Sequence, residues 1–242
     1  MKTPFDDIKK YMEDPSSRAD FNHPPRDYIE KKALQWPLLV EKELMEKHPE
    51  LAASAEKKLI AQLQRMLDLF PKSSHPVFKN IKLFLMGGKD TKYGGYDSGG
   101  EYHQKSAPEF YSYLDPRMAS SVVIYSASNY DWLSDFWSLK VLVHEFSHAY
   151  QLEQWPEDKP EIVKAWEHAK ELGLYKKAAR HDSVILEGPY VMTNALEYFA
   201  ELSCMYFCGC DYAPYTRQEL LAYDPTGHAM IEKVWGLAPE NS

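Results

Sequence analysis

An α+β fold is predicted, with a small mixed sheet and several helices, from three observations. The two best strand candidates, Lys82-Leu-Phe-Leu-Met86 and Ser121-Val-Val-Ile-Tyr125, both come before the mainly helical remainder of the chain. From about residue 135 onward the apolar spacing is helical. Nowhere do strand and helix patterns alternate as a parallel α/β sheet requires.

The elements follow in order. Residues 1–27 are polar, carry Pro4, Pro15, Pro24 and Pro25 and show no period, which predicts an arm lying on the domain. A helix is expected at 38–47 after Pro37. A longer one is expected at about 50–69, where Leu59, Ile60, Leu63, Met66, Leu67 and Phe70 share a face. The strand at 82–86 opens onto a loop holding Gly87, Gly88, Gly94, Gly95, Gly99 and Gly100, six of the chain's 11 glycines. No Gly-Lys-Ser/Thr closes that loop, so it does not read as a phosphate cradle. Val122, Val123 and Ile124 make 121–125 the strongest strand signal. Helices are then expected at about 135–153, at 160–171 between Pro160 and Gly173, and at 194–207. Thr216-Arg-Gln-Glu219 reads as a capping box, and the last helix as ending near Trp235. Residues 1–75 are expected as an arm and helices packed on a domain of residues 76–242, the whole forming one unit.

Bulk properties narrow the function. The chain of 242 residues is 44% hydrophobic and 26% charged, with a formal net charge of −8. No Lys/Arg cluster tracks a phosphate backbone, which argues against nucleic acid as a partner. No run of about 18 apolar residues argues for a membrane span. The first fifteen residues lack a signal-peptide core, so a cytoplasmic location is expected. Cys204, Cys208 and Cys210 are odd in number and clustered, so reduced packing thiols are expected rather than a disulfide framework or a second metal site.

The segment Val141-Leu-Val-His-Glu-Phe-Ser-His-Ala-Tyr150 carries the chemistry. His144 and His148, four apart on a helix, present two imidazoles to one ion, and Glu145 beside the first can reach the attacking water. Imidazole donors favour zinc, and a catalytic zinc takes three protein ligands with one position open. Ionisable groups on so apolar a helix need a partner, and a cation supplies one. Thr193-Asn-Ala-Leu-Glu-Tyr-Phe-Ala-Glu201 offers the third ligand, Glu197, while Glu201 is placed to accept the second ring N–H of a ligand His. The plainer reading of Glu197 is a capping box with Asn194. His103 and His181 read as surface histidines.

Taken together, His144-Glu-Phe-Ser-His148 followed by Tyr190, Thr193-Asn194 and Glu197-Tyr-Phe-Ala-Glu201 resembles the gluzincin class of zinc peptidases. Within it the chain is most similar to the family of the anthrax lethal factor catalytic domain and its bacterial relatives, over residues 80–235. The resemblance implies a zincin-like, thermolysin-type domain hydrolysing peptide bonds in a peptide or protein substrate. It implies one Zn2+ held by His144, His148 and Glu197, with Glu145 as general base and Tyr190 as transition-state donor. Glu201 would orient a ligand His, and the strand at 121–125 would form the sheet edge that a substrate joins. The cysteine stretch has no counterpart in the family. Two other readings stay open: a zinc-containing binding or regulatory module of the same fold without peptidase activity, and a zinc hydrolase of a non-peptide bond.

Overall fold

The computed structural model describes residues 25–88, 99–155 and 159–237. The arm expected at 1–27 lies outside them except for its last three residues, as do Gly94 and Gly95 of the glycine-rich loop. The architecture is α+β, with helices packed around a five-stranded mixed sheet. Its strands are β1 (Tyr28–Ala33), β2 (Trp36–Glu41), β3 (Lys82–Leu85), β4 (Glu101–His103) and β5 (Ser121–Ile124), in the order β1-β2-β3-β5-β4. The β2–β3 and β3–β5 pairs are parallel, while the two outer pairs are antiparallel.

The central strands β3 and β5 read as nearly continuous apolar runs because the sheet is covered on both faces there. Leu83, Leu85, Val122 and Ile124 point into the main core, and Phe84, Met86, Val123 and Tyr125 into a smaller one beneath. Nine helices complete the described residues: α1 (Lys42–Lys47), α2 (Pro49–Leu69), α3 (Ala107–Phe110), α4 (Ala127–Trp132), α5 (Asp135–Gln154), α6 (Pro160–Glu171), α7 (Ala195–Phe207), α8 (Arg217–Tyr223) and α9 (Pro225–Val234). A small hairpin, β6 (Lys177–Ala179) with β7 (Ile185–Glu187), lies between α6 and α7.

The helix expected at 38–47 is corrected. Residues 36–41 form β2, and only 42–47 are helical. Trp36, Leu38 and Val40 are buried at period two, the strand signature, and Pro37 is tolerated because pairing with β3 begins only at Leu38. The β1–β2 turn hid the hairpin, for it has no Gly or Asn; Leu34 takes the left-handed conformation itself, at φ 54. The sheet therefore crosses the boundary drawn at 75/76. The strand at 121–125 is also not an edge. It lies between β3 and β4, so the edge on that side is β4, too short at three residues to leave a signature.

α5 runs through the middle of the molecule, buried without interruption from Ser138 to Gln151. Ser134 caps its start by accepting the N–H of Trp137 (3.3 Å). It ends at Trp155, extended because Pro156 follows. α7 packs beside it and is fixed in turn by α9. There Asp224 caps α9 through the N–H of Gly227 (2.8 Å) and accepts the hydroxyls of Tyr198 (2.5 Å) and Tyr175 (3.1 Å). A Cβ at Gly227 would sit 2.5 Å from Asp224 Oδ2, Leu202 Cδ2 and Tyr198 Oη. Gly227→Ala is therefore expected to destabilise the fold by about 1–3 kcal/mol through overpacking, measurable by urea denaturation.

Candidate metal centre

α5 and α7 bring three donor atoms together. His144 Nε2 lies 3.0 Å from His148 Nε2 and 3.1 Å from Glu197 Oε2, and His148 Nε2 lies 3.3 Å from the same carboxylate oxygen. The i, i+4 spacing on α5 supplies two corners and the first turn of α7 supplies the third. Glu197 also keeps its plainer role in part: its backbone N–H is capped by Asn194 Oδ1 (2.8 Å), while its carboxylate turns to the histidines.

The protonation pattern tests whether a cation fits. His144 Nδ1 donates to Glu201 Oε1 (2.9 Å), which leaves Nε2 with a bare lone pair in the neutral ring. That lone pair faces a second imidazole nitrogen and a carboxylate oxygen. With His148 in the tautomer that also leaves its Nε2 bare, three lone pairs meet there and need a positive charge, a proton or a metal ion, among them. A tetrahedral ion bound at about 2.0–2.1 Å would separate its donors by about 3.3–3.4 Å, close to the observed triangle. The electrostatics agree. Burial opposes charge on His144, yet its hydrogen bonds to Cys204, Glu197 and Glu201 raise its pKa well above the ordinary value. Burial likewise opposes ionisation of Glu197, but His148 and His144 overcome it and hold the carboxyl well below its usual range.

Two other groups of donors, His144/Glu201/Cys204 and Glu201/Cys210/Asp211, share Glu201 and are already neutralised. Lys140 Nζ lies 3.0 Å from Glu201 Oε2 and 2.7 Å from Asp211 Oδ1, so a cation is present there. Among the described residues, all three members of the His144/His148/Glu197 set line one cleft. This cleft, of about 260 Å³, is also lined by Glu101, Tyr102, His103, Glu145 and Tyr190.

Glu145 points into the cleft. The N–H of Tyr102, on the outward edge of β4, donates to its Oε2 (2.7 Å) and sets its orientation. Burial, reinforced by the charges of Glu197 and Glu101, outweighs the pull of His144 and that N–H, and the pKa rises to about 8. Tyr190 stands in a 3-10 turn ahead of α7, its ring 5.9 Å from that of His144. Burial first, then the Glu197 charge and hydrogen bond, push its phenol well above the ordinary value, so it stays a donor.

Behind the His144/His148/Glu197 triangle, Glu201 accepts from His144, Lys140 and Tyr212 Oη (2.6 Å). Burial would raise its pKa, but Lys140 and these hydrogen bonds lower it to about 2. Tyr212 Oη also accepts the N–H of Val191 (3.1 Å), tying the Tyr190 turn to the same carboxylate.

All six residues singled out from the sequence thus converge. Lys140, Asp211, Tyr212 and Tyr102 were missed. Lys140 left a usable trace, as a lysine one turn before His144 on an apolar helix; the others are brought in by tertiary pairing. His103, expected at the surface, is buried at 4% exposure with Nε2 2.8 Å from Tyr125 Oη, whereas His181 is exposed and stacks on Tyr215. Cys204, Cys208 and Cys210 are free thiols, two of them buried. Among the described residues no helix is long and apolar enough to cross a membrane. Compared with known proteins, the chain matches no family model, no curated protein and no solved structure.

Proposed function

We propose that this chain is a zincin-like metallopeptidase, hydrolysing peptide bonds at a zinc ion held by His144, His148 and Glu197. The observation that carries the reading is the closed triangle of three potential ligand atoms, edges 3.0–3.3 Å, facing a cleft that also contains a buried carboxyl and a phenol. Bound there, zinc would supply Lewis acidity, bringing the pKa of a water to about 7 and polarising a carbonyl.

The chain's own groups do the rest. Glu145, with its raised basicity, takes the proton of the attacking water and returns it to the departing amine. Tyr190 donates its phenolic hydrogen to the carbonyl oxygen as negative charge grows there. Tyr102 keeps Glu145 aimed. The outer edge of β4 runs along the cleft, so an extended peptide can lie beside it and present one carbonyl to the site. A site that served structure alone would need neither Glu145 nor Tyr190.

The test combines metal analysis with peptide-library cleavage. One zinc per chain is expected in the wild type and none in Glu197→Ala, with cleavage lost on chelation and restored by zinc. Tyr190→Phe is expected to bind zinc normally and lose about 10²–10³-fold in kcat, with KM little changed. A wild type that binds zinc but cuts nothing in the library would leave the binding-module reading in its place.

A further inference from the structure

The two histidines of the triangle are supported unequally. His144 has Glu201 on its second nitrogen. His148 Nδ1 is buried with no hydrogen-bond partner, although a buried ring nitrogen normally finds one. Three residues on, Gln151 is 1% exposed and its amide Oε1 is likewise buried with no hydrogen-bond partner. Lys140, His144, His148 and Gln151 fall within about 80° of arc on α5 at 100° per residue, one polar stripe on a helix buried throughout.

These orphans are complementary. When His148 Nε2 gives its lone pair to a cation, the neutral ring must carry its proton on Nδ1, which becomes a donor needing an acceptor. Gln151 Oε1 is an acceptor needing a donor. A residue at i+3 lies over the same turn, and helical side chains lean toward the N-terminus, so Gln151 leans toward His148. We propose that Gln151 is the positioning residue for His148, taking its Nδ1–H directly or through one buried water once the metal is bound. His148 would thus be held by its own helix, and His144 by α7. The inference rests on the metal centre proposed above and extends it.

The test measures zinc affinity by competition with a chelator, together with the thermal stability of the zinc-free protein. Gln151→Met removes the acceptor at similar volume, and Gln151→Glu keeps one. Gln151→Met is expected to weaken zinc about 10–100-fold while leaving the zinc-free Tm near wild type, and Gln151→Glu to hold zinc within a few-fold of wild type. Nitrogen NMR of the zinc-loaded wild type should show a slowly exchanging His148 Nδ1–H that exchanges fast in Gln151→Met. Wild-type affinity in Gln151→Met would overturn the role of Gln151 alone. Equal weakening in both variants would do the same, marking a packing role. A wild type that takes no zinc would remove the metal centre and this inference together.

Discussion

Replacing Glu145 by Gln is expected to lower peptide cleavage by about 10²–10⁴-fold while leaving zinc content unchanged. The amide keeps the shape of the carboxyl and can still accept the Tyr102 N–H, so the cleft should stay as it is. What disappears is the proton acceptor. Cleavage by the variant at near wild-type rate would sink the assigned role. The same substitution has a signature in stability. Glu145 is raised from 4.5 to about 8 in the folded chain. Its contribution is therefore fully present below about pH 4.5 and is lost as the pH rises through 8. In zinc-free protein the Tm of Glu145→Gln should gain on wild type between those limits, because the amide does not titrate. Zinc should narrow the gap, since a neighbouring cation favours the carboxylate.

The second large effect is expected at Lys140. Its ammonium group is the positive partner of Glu201 and Asp211 inside the core. Lys140→Met leaves two carboxylates buried without that charge, at an expected cost of about 3–5 kcal/mol. For a chain of this size the loss corresponds to a Tm lowered by about 10 °C, measurable by calorimetry. Zinc affinity should fall as well, because Glu201 would no longer be held against His144. A Tm within two degrees of wild type would show that the pair is not the keystone its burial implies.

The sequence was most legible where a single period carried the information. α2, α5, α6 and α7 begin and end within a residue or so of expectation, since each has an apolar face together with a cap or a flanking proline. The candidate ligands His144 and His148 were legible for the same reason: i, i+4 spacing is a local rule that places side chains before any tertiary contact is known. Contacts between distant segments were not. β1 and β2 meet through a turn closed by Leu34 in a conformation its side chain does not announce, and β4 is recognisable only by its partner β5. Lys140, Asp211 and Tyr212 become a network only when α5 and the segment after α7 are packed together.

The placement of β2 inside the sheet has a consequence for how this chain can be divided. Its main-chain groups bond to β1 on one side and to β3 on the other. A fragment starting at residue 76 would contain every residue of the candidate site, yet it would bare the flank of β3 as an unsatisfied ladder of amides and carbonyls. Such an edge recruits other chains. The first two strands thus cover a flank of the sheet that would otherwise stand open to pairing, although neither contributes a residue to the candidate site.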